Sequence, residues 1–144
     1  MIYVTRRETF NAAHKVWQPN WSEEKNNEVF GRCANPNWHG HNYDLYVTVK
    51  GIPNPETGFV IDLKKMSKLI KEHICEKFDH KNLNLDVPVF AGMMVSTENI
   101  AIVTWNILFH LIQELGAELH CIKLYETENN FVEYFGNPVY PTKN

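Results

Sequence analysis

The chain has 144 residues, of which 44% are hydrophobic, and this length predicts a single domain spanning residues 1–144. Its formal net charge is −3, with both signs mixed along the chain, so composition favours neither a nucleic-acid partner nor a membrane-surface partner. The lack of a long apolar run or a signal peptide, together with three widely spaced cysteines, predicts a cytoplasmic protein.

The first half of the chain predicts two strands separated by a long loop. Residues 2–13 are rich in β-branched and aromatic types and predict a strand with His14 at its end. Residues 15–37 contain two prolines and a polar run, which favour a loop with about one helical turn. Residues 39–51 alternate in polarity and predict the second strand. Loops of this length inside compact domains are usually functional.

Two amphipathic helices are predicted next. Asp62 is a typical N-cap for a helix that runs to about Lys77, because apolar residues recur there at helical spacing. Residues 78–88 have no sustained period and end in proline, which predicts a loop. Ser96 is a typical N-cap for a second helix, which is expected to end at Gly116.

The last two predicted strands complete the order ββααββ. They cover residues 118–127 and 131–135, joined across a turn that contains two asparagines. This order predicts an α+β fold with a four-stranded antiparallel sheet and both helices on one face. Such a sheet leaves two open edges, which are often paired with another subunit, so we expect a homo-oligomer.

Three histidines form a candidate metal site. His39 and His41 are two residues apart in a predicted strand and therefore point to the same face. His14 ends a strand that can lie beside them. Three neutral imidazoles with a fourth position open are typical of catalytic zinc, although residue type alone leaves iron, copper and nickel open. The alternative is a pair of polar residues on a solvent-facing strand.

Three further groups are candidates for acid–base chemistry or ligand binding. Cys33 lies in a polar segment beside Arg32, where we expect a lowered pKa and a nucleophilic thiolate; the alternative is a small buried side chain. Asp79 and His80 can form a carboxylate–imidazole pair, or be an ordinary loop pair. Glu126 can accept paired N–H donors of a ligand ring, or be a surface charge.

Five segments in this order resemble the 6-pyruvoyltetrahydropterin synthase family over nearly the whole chain. They are Phe10-Asn-Ala-Ala-His14, Cys33-Ala-Asn-Pro-Asn-Trp-His39-Gly-His41-Asn-Tyr43, Phe78-Asp-His-Lys-Asn-Leu-Asn84, Ser96-Thr-Glu-Asn99 and Leu124-Tyr-Glu-Thr127. The resemblance implies a T-fold subunit, trimers whose sheets close into a barrel, and hexamers made of two trimers. It also implies an active site at a subunit interface.

The resemblance also implies a role for each candidate residue. His14, His39 and His41 correspond to the family's zinc ligands and Cys33 to its proton-transferring thiol. Asp79 and His80 correspond to the pair that assists the thiol from a neighbouring subunit. Glu126, with Thr97 and Glu98, corresponds to the residues at the pterin ring.

The implied activity is a zinc-dependent lyase reaction on 7,8-dihydroneopterin triphosphate that eliminates triphosphate and rearranges the side chain to a pyruvoyl product. The family also includes 6-carboxytetrahydropterin synthases of the queuosine route, which use the same substrate and typically have three residues between the cysteine and the first histidine; here there are five. A folate-route aldolase and a non-catalytic zinc module are the remaining alternatives.

Overall fold

The computed structural model describes residues 1–137, and within them a five-stranded sheet carries helices on one face. The order of strands across the sheet is β3-β1-β2-β4-β5. The strands are β1 Ile2–His14, β2 His39–Gly51, β3 Lys81–Asn82, β4 Glu118–Thr127 and β5 Asn130–Tyr134. The helices are α1 Glu23–Phe30, α2 Leu63–Ile70, α3 Glu76–Phe78, α4 Leu83–Asp86 and α5 Thr97–Glu114.

Strands β1 and β2 form a long antiparallel hairpin that brings the ends of both predicted strands together. The register pairs Ile2 with Gly51 at one end and His14 with His39 at the other. Alternate residues of β1 face the core, where Phe10 and Ala12 are buried. The pattern read from the sequence is therefore confirmed for both strands, including their bounds to within one residue.

The two long helical segments cover one face of the sheet. The Asp62 carboxylate accepts hydrogen bonds from the backbone N–H groups of Lys64 and Lys65, and Ser96 accepts one from Asn99. Each such cap is worth about 1 kcal/mol of helix stability. Helix α2 continues through a π-helical turn, Lys71–Cys75, into α3, so the helix predicted from Asp62 to about Lys77 is confirmed. Helix α5, Thr97–Glu114, confirms the second predicted helix, which begins after Ser96.

The structure differs from the sequence prediction in three places. The loop after His14 contains an eight-residue helix, α1, and a 3₁₀-helix, Gly31–Ala34, where one turn was expected. The segment predicted as a loop before Pro88 contains β3 and α4. Because β3 pairs with β1 in parallel, the sheet is mixed and has five strands, rather than four antiparallel strands. These elements are short, and α1 and α4 each begin at a side-chain cap, Ser22 and Asn82 respectively.

Within residues 1–137, none of the helices combines the length and apolar character needed to cross a membrane.

Candidate metal centre and active site

The three histidines predicted as metal ligands meet at the end of the β1–β2 hairpin. The centroid of the His14 ring lies 4.5 Å from that of His39 and 5.1 Å from that of His41. His39 and His41 lie 4.8 Å apart by the same measure. One ligand atom from each of these rings and one carboxylate oxygen of Glu126 all lie within 4.8 Å of one another. The group can therefore hold one metal ion.

The strand geometry explains why the rings converge. His14 pairs directly with His39 in the antiparallel register, and His41 lies two residues further along the same strand face. Trp38, which precedes His39, has a φ of 60°, a conformation that residues with a bulky side chain rarely adopt. The backbone strain lies immediately before a candidate ligand, as it often does at functional sites.

The ring of His14 is held in the tautomer that a metal requires. Its Nδ1 lies 2.7 Å from the backbone carbonyl oxygen of Val95, and because a carbonyl oxygen only accepts, Nδ1 carries the proton. The lone pair is therefore on Nε2. Ligand histidines in metalloproteins commonly have such a backbone or carboxylate partner on the other nitrogen.

The ring nitrogens that face one another are buried without hydrogen-bond partners. They are His14 Nε2, His39 Nδ1 and His41 Nε2. Two of them approach the Glu126 carboxylate, with His41 Nε2 at 2.9 Å and His14 Nε2 at 3.4 Å, but neither contact has the alignment of a hydrogen bond. Buried polar atoms are rarely left unpaired, so three in one cluster favour a bound cation.

Burial keeps two of the rings in the neutral form that binds metal. The pKa of His39 and the pKa of His41 are both lowered from the ordinary value, chiefly by burial. The neighbouring imidazoles lower them further, whereas Glu126 opposes the shift. Both rings are therefore uncharged near neutral pH, with lone pairs available.

We expect His39 and His41 of the metal-free chain to titrate below about pH 6.5, the ordinary value for histidine. Because the pKa of each ring is lower in the folded chain, the unfolded chain takes up these protons at a higher pH than the folded chain does. The folded chain therefore keeps its full stability above about pH 6.5 and loses part of it as the pH falls through the lowered pKa values. NMR titration of the ring Cε1 protons measures this directly. Titration of both rings above pH 6.5 would contradict the burial argument.

Glu126 also belongs to the histidine cluster, a position that the sequence did not predict. The sequence predicts an anchor for a ligand ring or a surface charge, whereas in the structure the Glu126 carboxylate belongs to the same group of donors as the histidines. The pKa of Glu126 is lowered to about 2, first by its contact with His14 and further by His41 and the Thr97 hydroxyl, while burial opposes the shift. Glu126 is therefore ionised at neutral pH.

Cys33 lies beside this cluster in a recess of about 310 Å³. The lining of the recess comes from four parts of the chain: His14 at the end of β1 with Val16 just after it, Val29, Phe30 and Cys33 in the loop, Ser96, Thr97 and Glu98 at the start of α5, and Glu126 on β4. The structure thus brings together the predicted ligand His14, the predicted thiol and all three predicted ring-contacting residues.

The expectation of a lowered thiol pKa is wrong for the chain without a metal. The pKa of Cys33 is raised, first by burial and second by the negative charge of Glu126. Arg32, which was expected to lower it, is exposed and exerts no resolved effect. The two residues are adjacent in sequence but their side chains lie in different surroundings, so neighbouring charge in the sequence was a poor guide.

Asp79 and His80 form the predicted pair, but they lie away from the recess that contains Cys33. His80 Nδ1 lies 2.7 Å from Asp79 Oδ2, and the other carboxylate oxygen accepts a hydrogen bond from the Asn11 backbone N–H. These contacts lower the pKa of Asp79, with the Asn11 bond as the largest cause. The His80 side chain is 83% exposed. The pair is preformed on the surface of the chain.

A second hollow shares Thr97, Glu98 and Glu126 with the recess. It has a volume of about 190 Å³ and adds three residues of β5 to Thr97, Glu98 and Glu126. These are Asn130, Phe131 and Val132. Sequence reasoning missed this strand as part of the site, since only its pairing with β4 brings it beside Glu126.

Comparison with known proteins places the chain among pterin synthases. The sequence profile of 6-pyruvoyl tetrahydropterin synthase matches residues 3–137. The 6-pyruvoyl tetrahydrobiopterin synthase of Pongo abelii is 45% identical over 133 residues, which cover 92% of this chain and 90% of that protein. A more distant relative, the 6-carboxy-5,6,7,8-tetrahydropterin synthase of Rickettsia typhi, is 31% identical, with 92% of this chain and 99% of that protein covered.

A solved structure agrees with this assignment. The 6-pyruvoyl tetrahydropterin synthase of Caenorhabditis elegans superposes with a TM-score of 0.88 at 33% identity, covering 94% of this chain and 96% of that one. The T-fold expected from the sequence is thereby confirmed, with the short strand β3 added to it. The chain belongs to the 6-pyruvoyl tetrahydropterin synthase family.

Proposed function

We propose that this chain is a zinc-dependent lyase that converts 7,8-dihydroneopterin triphosphate to 6-pyruvoyltetrahydropterin, eliminating triphosphate. The observation that carries the proposal is the group of three unpaired ring nitrogens beside Cys33 and Glu126, in a chain of this family. The 6-pyruvoyl tetrahydrobiopterin synthases of Pongo abelii and Homo sapiens are 45% and 44% identical to the chain, whereas the 6-carboxy synthase of Rickettsia typhi is 31% identical. This order favours the pyruvoyl product.

His14, His39 and His41 are the proposed zinc ligands. Their donor set fits the ion, because neutral imidazoles suit zinc and three of them leave a position for substrate. When bound, zinc supplies Lewis acidity towards the C–H groups beside the side-chain oxygens of the substrate and a positive charge that lowers the pKa of the nearby thiol. Val95 keeps the His14 lone pair directed at this position through its carbonyl oxygen.

Cys33 is the proposed acid–base group of the reaction. Its thiolate accepts a proton from a side-chain carbon of the substrate, the electron pair moves into the carbon framework, and the triphosphate leaves with its bonding electrons. The proton returns to a different carbon, so the side chain is rearranged without an external reductant. Asp79 and His80 of a neighbouring copy are proposed to assist the transfer, since in one chain the pair is exposed and preformed.

Glu126 is proposed to anchor the pterin ring, with Thr97 and Glu98 beside it. An ionised carboxylate accepts paired N–H donors well, and the low pKa of Glu126 keeps it ionised. The hollow next to it is lined by two polar side chains and one aromatic ring, those of Thr97, Glu98 and Phe131, which suits a flat polar ring. The competing role is that of a fourth metal ligand, because Glu126 also belongs to the donor group.

Glu126→Gln distinguishes these two roles. If Glu126 anchors the ring, loss of a charge-assisted contact worth about 1.5–3 kcal/mol should raise KM by about 10- to 150-fold while bound zinc stays at one per chain. Zinc content and steady-state kinetics on the same preparation give both quantities. Glu128→Gln, the same change at an exposed turn position, is the matched control. A loss of zinc with the Glu126 variant alone would instead make Glu126 a ligand.

The product of the purified protein tests the proposed function. After incubation with 7,8-dihydroneopterin triphosphate, mass spectrometry should show a pyruvoyl product together with released triphosphate. A carboxy product with a released two-carbon fragment would contradict the pyruvoyl assignment and favour the 6-carboxy alternative. If zinc-loaded protein forms no product, both the pyruvoyl and the 6-carboxy assignments are overturned, and a non-catalytic zinc module is the remaining alternative.

We further propose that residues 1–144 form one domain that works in the cytoplasm as a trimer or a pair of trimers. The three unpaired cysteines suit a reducing compartment. The exposed Asp79–His80 pair and the open edge at β5 favour a site completed by a second copy. Residues 138–144 of the proposed domain lie outside the described part of the chain. A monomer in sedimentation at micromolar concentration would contradict the oligomer.

A further inference from the structure

The loop that carries Cys33 is folded around one buried amide, that of Asn26. Asn26 is 0% exposed although it lies on α1, whose other residues are polar or partly exposed. Its Oδ1 accepts a hydrogen bond from the Gln18 backbone N–H at 2.7 Å. Its Nδ2 donates to the carbonyl oxygens of Gln18 and Ser22, each at 3.0 Å, and lies 3.5 Å from that of Trp21.

These contacts join two parts of the loop that follows β1. The amide fastens residues 18–22 to the helix that follows them, and it pairs with the backbone N–H and carbonyl groups of Gln18 and with the carbonyl group of Ser22. Because the side chain uses both its donor and its acceptor on backbone groups, the contacts fix its orientation as well as its position. No other residue type of this size offers the same set.

The fastened segment is connected to the wall of the recess. The Trp21 ring stacks on that of Phe30, with centroids 5.6 Å apart and planes 16° apart. Phe30 lines the recess beside Cys33. At the base of the loop, the Val16 backbone N–H donates to the carbonyl oxygen of Cys33 at 2.8 Å. The position of the thiol therefore depends on the loop, whereas the histidines lie on the two strands.

We propose that Asn26 is a positioning residue for Cys33, which it acts on through the packing of Trp21 and Phe30 without contacting the substrate. The inference rests on the proposed role of Cys33 as the proton-transfer group. It makes the loop a unit that is separable from the metal centre. Loss of the amide should disturb the thiol and leave the three histidines in place.

Asn26→Ala and the isosteric Asn26→Asp test this separation, with Asn27→Ala, an exposed neighbour on the same helix, as the matched control. In Asn26→Asp an oxygen replaces the Nδ2 group that faces the carbonyls, while the volume of the side chain is kept. Four quantities are measured on the purified protein: zinc per chain, kcat, KM, and the rate at which iodoacetamide alkylates Cys33. The other two cysteines are buried, so Cys33 is the readily alkylated thiol.

We expect the Asn26 variants to retain one zinc per chain, to lose about tenfold or more in kcat with a smaller change in KM, and to alkylate at Cys33 at least about threefold faster. Asn27→Ala should match the natural protein. Unchanged kcat and alkylation rate in Asn26→Asp would overturn the proposal, and so would loss of zinc in step with activity. If Asn26→Ala does not fold, Asn26→Asp decides the outcome.

Failure of this proposal is distinguishable from failure of the proposed function. The alkylation rate and the zinc content are measured without substrate, so they report on the loop whatever reaction the chain performs. If the natural protein does not turn over 7,8-dihydroneopterin triphosphate, the proposed function is contradicted. If Cys33 is still alkylated faster in the Asn26 variants than in the natural protein, the role of Asn26 in placing the thiol is retained.

Discussion

Cys33→Ala is expected to lower turnover by about a hundredfold to ten-thousandfold while zinc and substrate still bind. The thiol lies beside the histidine cluster but is not among the donor atoms that converge on the metal position. Its removal therefore takes away proton transfer and leaves the metal centre intact. Single-turnover rates, zinc content and substrate affinity of one preparation separate the three effects.

Cys121→Ala is the control for this prediction, because it removes a thiol that lies on β4 and outside the recess. Its turnover per folded molecule should equal that of the natural protein. If Cys33→Ala kept near-normal turnover, the thiol would have a packing role only, and His80 would be the first candidate to carry the proton transfers.

The double change His39→Ala/His41→Ala is expected to abolish zinc binding and to lower turnover by at least about a thousandfold. Two of the three unpaired ring nitrogens are removed, and one imidazole does not hold zinc. Lewis-acid stabilisation is worth several kcal/mol, and each 1.36 kcal/mol corresponds to a factor of ten in rate. Zinc content is measured by elemental analysis after dialysis.

His73→Ala/His110→Ala is the matched control, since it also removes two imidazoles but from positions outside the donor group. It should leave zinc and turnover unchanged. One zinc per chain in the His39/His41 variant would show that the metal is held elsewhere. The assignment of ligands from the strand pattern would then be wrong.

Strand periodicity was sufficient to predict most of the geometry of the histidine cluster. His39 and His41 share a face because strand residues two apart always do, and the antiparallel register adds His14 opposite His39. The caps at Asp62 and Ser96 were equally readable, since each depends on one side chain and the two or three residues after it.

The position of Glu126 depended on contacts that the sequence does not encode locally. Leu45 pairs with Leu124, so Glu126 lies two residues further along β4 on the face that His41 occupies on β2. That relation needs the register between two strands that are separated by residues 52–117 of the chain. Without it, a carboxylate late in a strand had only its residue type to indicate a function.

The loop before β2 shows a different limit of sequence patterns. Helix α1 has no apolar stripe, and the one side chain it buries completely is an amide, Asn26. Periodicity searches for apolar residues on one face, so they miss a helix held by hydrogen bonds to backbone. The raised pKa of Cys33 was missed for a related reason, because burial and Glu126 determine it, and both arise from the folded loop.

The dependence of turnover on zinc tests the central claim most directly. Zinc is removed with a chelator and added back in known amounts, and turnover of 7,8-dihydroneopterin triphosphate is followed at each step. If His14, His39 and His41 form one catalytic site, activity should rise in proportion to added zinc and level off at one ion per chain. Full turnover by the zinc-free protein would contradict the account.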